Sequence, residues 1–185
     1  MPEAQDTPEC HLLDLAAAHL EGAGAPGTGL AVRFMATDPN GPTDDNKAAT
    51  PPAWMPEEWT VDLNYGAWAL ALGREHDATV RDNILSGHRD AMSALAACLA
   101  DKPVAWIEVG LHGFWGEWHY QASHEVAENQ WEPYATTEQQ EALAPTVEDR
   151  RRIMEDVRAA FPDELLLITF DAFQRDDTHD LSLIH

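Results

Sequence analysis

The pattern of apolar and polar positions divides the chain into helical and extended stretches. Leu12, Leu13, Leu15, Ala16 and Leu20 recur at the spacing of one helix face. Thr7 can cap that helix, Pro8 suits its first turn, and Gly22 and Gly24 predict its end. Leu30–Ala36 then alternates as a strand, with Leu30, Val32 and Phe34 on one face and Ala31, Arg33 and Met35 on the other. Thr60–Leu63 reads as a further short strand. Ile84, Leu85, His88, Met92, Leu95, Ala96 and Leu99 predict a helix over Asp82–Ala100. Val104–Gly110 is apolar on both faces, as in a buried parallel sheet. A short helix is expected behind a capping box at Thr137 and Gln140. A longer one is expected over Thr146–Phe161, with Val147, Ile153, Met154, Val157 and Phe161 inward. Leu165–Phe170 is the last clear strand.

Strands that alternate with helices imply a parallel sheet. Long polar excursions follow the strands, from Thr37 to about Trp59 and from His119 to about Pro145, whereas the helix-to-strand connections are short. That asymmetry fits a (β/α) barrel, whose site is built from the loops after its strands. A doubly wound open sheet is the alternative, but its Gly-rich phosphate turn is missing. A complete eight-stranded barrel takes about 250 residues. The expectation is therefore an α/β fold that is an incomplete (β/α)8 TIM barrel, truncated at both ends and occupying residues 1–180. Residues 181–185 match what a sequencing-library adaptor encodes and are expected to be a non-native tail.

Charge narrows the function classes. The 33 acidic and 11 basic residues leave a net charge of −22 at neutral pH. That argues against nucleic acid, whose phosphates are met by clustered Lys and Arg, and against an anionic membrane surface. No apolar run approaches the length of a membrane span and no secretory signal is visible. Compartment and oligomeric state stay open. Cys10 and Cys98 fall inside predicted helices and read as small buried apolar residues. His112, Glu117, His119 and His124 match no zinc-ligand spacing, so no metal is expected. No P-loop or nucleophile elbow is present, and no cofactor is expected.

The stretch that carries chemistry follows the Val104–Gly110 strand: Gly113, Phe114, Trp115, Gly116, Glu117, Trp118 and His119. An acid between two indoles is costly unless used, and apolar walls favour the protonated form that a general acid needs. Arg33 faces away from Val32 and Phe34, on the side expected to be the barrel interior, where a charge needs a partner. Glu108, on the set Trp106, Glu108 and Gly110, is the expected one.

These residues, Gly113 to His119, resemble the signature of clan A glycoside hydrolases. The similarity is to a family of mostly uncharacterised bacterial barrel proteins distantly similar to the barrel β-galactosidases. Ala31–Phe34 resembles that family's second strand, Pro52–Trp54 its Pro-x-Trp segment and Asp101–Trp106 the lead into its fourth strand. The likeness spans Leu12–Phe170 and is most specific at the Trp-Gly-Glu-Trp core. It implies that Glu117 is the acid/base on a glycosidic bond and that the partner is a carbohydrate substrate. Arg33, Trp54, His112, Trp115, Trp118, His119 and Asp171 are the candidate substrate-binding residues, the indoles because aromatic faces stack on sugar rings, with a scaffold ion pair the favoured role of Arg33. Gly116 departs from the pattern, because the clan places there an Asn that contacts the sugar 2-hydroxyl. The clan's nucleophile lies near the seventh strand, so this chain alone is expected to be inactive. The rival reading is a carbohydrate-binding barrel without catalysis.

Overall fold

The structure, a computed structural model, describes residues 8–22, 29–37, 51–120 and 122–168. In chain order the elements are α1 (Pro8–Gly22), β1 (Leu30–Arg33), β2 (Thr60–Asp62), β3 (Trp68–Leu70), α2 (Ala78–Leu99), β4 (Val104–Glu108), β5 (Ser123–Ala127), β6 (Gln130–Pro133), α3 (Thr137–Leu143), α4 (Val147–Ala160) and β7 (Leu166–Leu167). The fold is mixed α/β. Among the described residues no helix is long and apolar enough to cross a membrane.

The central sheet has the order β1-β4-β7 and all its pairings are parallel, as the alternation of strands and helices predicts. It does not close into a complete barrel among the described residues. Ala31 registers with Trp106, Arg33 with Glu108, and Glu108 with Leu167. Both long strands stop earlier than the sequence suggests, β1 at Arg33 rather than Ala36 and β4 at Glu108 rather than Gly110. The backbones converge there: a Cβ on Gly110 would lie 2.6 Å from the Phe34 carbonyl oxygen. Leu166 and Leu167 form the ladder part of the expected Leu165–Phe170 strand, and residues 169 and 170 lie outside the described residues. So do Thr7, Gly24 and the tail at 181–185.

Only one face of this sheet is buried. Val32, Phe34, Ile107, Val109 and Leu166 join Ile84, Leu85 and Met92 of α2 and Ile153 and Val157 of α4 in one apolar cluster. On the opposite face Trp106 is 37%, Leu165 60% and Leu167 40% exposed, which corrects the expectation of a strand buried on both sides. Arg33 and Glu108 stand on that open face.

Other elements also depart from the sequence reading. Trp68, Ala69 and Leu70 form β3, antiparallel to β2 and buried throughout, so no alternation marks it. The second excursion holds an unexpected hairpin, β5 with β6, turned through Asn129 at φ 61°. α2 starts at Ala78, not Asp82, because the Asp77 carboxylate accepts from the Thr79 and Val80 amides at 2.8 and 3.3 Å. The capping box is Thr136 with Gln139, one residue before the expected pair. Gln140 is instead buried and donates to the Ala135 carbonyl. The inward face of α1 is Cys10, Leu13, Ala17 and Leu20, while Leu15 points out at 56% exposure. Cys10 and Cys98 are not separate apolar residues; they form a disulfide that joins α1 to α2.

Candidate functional site

The C-terminal ends of β1 and β4 feed one cluster. Arg33 closes β1 and Glu108 closes β4, and strand register sets them side by side. The next residues of the chain loop back from β4 and return Glu117 to the same place. Arg33 Nη2 donates to Glu108 Oε1 at 2.6 Å and Nη1 donates to Glu117 Oε1 at 2.5 Å. One guanidinium thus holds two carboxylates. Burial works against the charge on Arg33, but the hydrogen bonds and charges of Glu108 and Glu117 outweigh it and hold the guanidinium above its ordinary pKa. The three side chains are 29%, 17% and 28% exposed. Such pairs fall between exposed ones, worth about 0.2–1 kcal/mol, and fully buried ones, where losing a partner costs about 3–5 kcal/mol. On the other side of Glu117, Oε2 lies 3.4 Å from Nε2 of His119.

The loop that presents Glu117 is strained. Gly113, Trp115, Gly116 and Trp118 all have positive φ, at 85°, 54°, 72° and 67°. For an indole-bearing residue this is an outlier that costs about 1–3 kcal/mol and persists only where neighbours impose it. The neighbours are on hand. Thr37, just past β1, accepts from the Trp115 amide at 2.9 Å and donates its hydroxyl to the Gly113 carbonyl at 2.8 Å. The Trp118 amide donates to His112 at 2.9 Å, and the Phe114 amide to His119 at 2.8 Å. The Trp118 indole donates to the Val109 carbonyl at 2.8 Å.

The backbone leaves no room for a side chain at Gly116. A Cβ there would lie 2.7 Å from the Phe34 carbonyl oxygen, and its φ is already in the left-handed region. No Asn side chain fits at this position without moving β1's continuation or the turn.

The expected site residues separate into groups. Arg33, Trp115, Glu117 and His119 come together, with Trp115 and His119 ring centroids 6.4 Å apart. Trp118 is 8% exposed and joins the main apolar cluster, so it supports the loop instead of walling a cleft. His112 is 5% exposed, with the Trp118 and Tyr120 rings against it, and no surface remains for a sugar. Burial first, then the charges of Arg150 and His119, push its pKa down to about 3. Burial likewise pushes the Tyr120 hydroxyl up. Trp54 is 75% exposed on a separate segment. A cleft of about 510 Å³ runs beside it between Pro51 and Asp62, and none of the Arg33 cluster lines it. Asp171 lies outside the described residues, as does the side chain of His124.

The surroundings of Glu117 are more polar than a pair of indoles alone. Besides the indoles that flank it in sequence, it meets the Arg33 guanidinium, as the inward-facing charges predict, and the His119 imidazole. The sequence missed Thr37, whose role depends on a carbonyl contact across 76 residues that no local pattern encodes. Among the described residues no three His, Cys, Asp or Glu side chains converge as a metal site. No protein-family model matches this sequence, and neither a curated protein nor a solved structure matches it.

Proposed function

We propose that the chain carries the acid/base side of a glycoside hydrolase site on a (β/α) barrel, with Glu117 as the acid/base carboxylate. One observation carries the reading. A strained turn just past the end of β4 returns Glu117 to the strand ends of a parallel sheet, against Arg33 and Glu108. That is where barrel folds place their chemistry. On this reading Arg33 fixes Oε1, and Oε2, on the His119 side, carries the proton to the glycosidic oxygen. Trp115 is the aromatic surface available to a sugar ring. The opposing nucleophile or base that displacement requires comes from outside the described residues.

A second reading, a carbohydrate-binding barrel without turnover, is favoured by Gly116, where the backbone leaves no room for the clan's Asn. One experiment separates the two. The complete product of the gene and its Glu117→Gln variant are offered a panel of aryl glycosides, and saccharide binding is followed by tryptophan fluorescence. Hydrolysis that falls about 10²–10⁴-fold in Glu117→Gln supports the acid/base role. Binding without hydrolysis, unchanged in the variant, supports the second reading. Neither binding nor hydrolysis across the panel removes both.

A further inference from the structure

The only two cysteines of the sequence close a disulfide between α1 and the last turn of α2, 88 residues apart. Cys10 is 2% and Cys98 8% exposed, so the bond is shielded. Among the described residues, α1 has few other buried contacts. Among its side chains that are described, Cys10 and Ala17 are buried, and Leu13 packs partly against the main cluster. The ion pair Asp14–Lys102, at 2.8 Å, ties the helix to the turn after α2, but Asp14 is 52% exposed. Lys102 also meets Asp101 at 3.1 Å. These groups and the disulfide border a polar cleft of about 220 Å³. Among the described residues, the main apolar cluster draws its buried members from β3 and its continuation, α2, β4, the loop after it, and α4 with its C-cap, and none from α1.

We propose that Cys10–Cys98 is a redox lock on α1. In the oxidised chain the helix is docked. In the reduced chain it is released while α2, α4 and the parallel sheet stay folded. The protein accordingly works in an oxidising compartment, where such bonds form and persist. The physical reason is that a helix of this length is marginal in water without packing. The disulfide keeps α1 at its site regardless of its small apolar contact. Closure proceeds by thiol–disulfide exchange. A thiolate of one cysteine attacks an external disulfide to give a mixed disulfide and releases one external thiol. The second thiolate displaces the other. Two protons leave the cysteines and two electrons pass to the external disulfide, which departs as its dithiol. A dithiol reverses the sequence.

The test begins with thiol alkylation of the denatured protein, prepared through an oxidising host compartment. No alkylated cysteine is expected, and two would overturn the proposal. Hydrogen exchange by mass spectrometry then compares the oxidised chain, the chain reduced with dithiothreitol, and Cys10→Ser/Cys98→Ser. The α1 amides should exchange at least about tenfold faster in the last two, with α2 and β4 unchanged. Unchanged α1 exchange overturns the lock. Loss of protection throughout also overturns it, because the bond would then staple the whole fold. Lys102→Ala in the oxidised chain should leave α1 protected; loss there would assign the hold to the ion pair.

Discussion

Gly116 shows how one residue's geometry bears on the choice between the two functional readings. Its added Cβ would meet the Phe34 carbonyl at 2.7 Å, while Gly66, at φ 75°, has nothing within 4 Å. Gly66→Ala should therefore cost only the left-handed conformation, about 1–2 kcal/mol. Gly116→Ala and Gly116→Asn should each cost more than that, measured by urea unfolding, and Gly116→Asn should not create hydrolysis. Equal costs at the two positions would show that the turn relaxes freely. His112 gives a second prediction. Its pKa is about 3 when folded and 6.5 ordinarily, so between these values the unfolded chain binds more protons. Stability should be full above pH 6.5 and fall by up to about 1.4 kcal/mol per unit as pH drops toward 3. His88, also pushed down by burial despite its Asp156 partner, acts in the same direction. His112→Phe should flatten the urea midpoint against pH over this window; an unchanged slope would remove His112 as a source. At this scale the sequence was legible where strand alternation governs. Arg33 and Glu108 follow from their faces, and the structure pairs them. It was not legible past Gly110, where four positive φ values between Gly113 and Trp118 break every period and send Trp118 inward.

Elements were readable in proportion to the length over which a period repeats. α2 and α4 declare themselves over several turns. β3 does not, because three buried residues show no contrast between faces. The hairpin of β5 and β6 is the opposite case: every residue of β6 is exposed, so no inward residues mark it. The start of α2 was missed because Ala78 and Thr79 add nothing to the apolar stripe, although Asp77 is a capping residue in plain sight. The cap yields its own prediction. Asp77 accepts two amide hydrogen bonds, and these hold its carboxyl below the ordinary carboxylate range. Asp77→Ala should lower the urea midpoint, and Asp77→Asn should lower it by less, because Asn still accepts. Equal loss in both would assign the effect to the nearby Arg81 charge instead of the cap.

For the whole molecule the deciding quantity is charge. Eleven basic residues can neutralise at most eleven of the 33 acidic ones, which leaves a net −22 however they are paired. Several of the bases are already committed. Arg33 holds Glu108 and Glu117, Arg81 meets Asp149, Lys102 meets Asp14 and Asp101, and Arg152 meets Asp82. Salt screens these attractions and the surplus repulsion alike, over a Debye length of about 10 Å at 0.1 M. The partly buried pairs are screened less than the exposed acidic surface, so the repulsion loses more. Folding compacts that charge, and relief of the repulsion favours the folded state. The melting temperature at pH 7 should therefore rise by a few degrees between about 0.01 and 0.15 M sodium chloride, a range in which screening changes most. Arg151, paired with Glu148 and 50% exposed, offers a check on the sign. Arg151→Gln adds to the surplus at the surface and should steepen the salt dependence. A melting temperature that falls with salt would mean that the ion pairs, Arg33 foremost, outweigh the surplus charge.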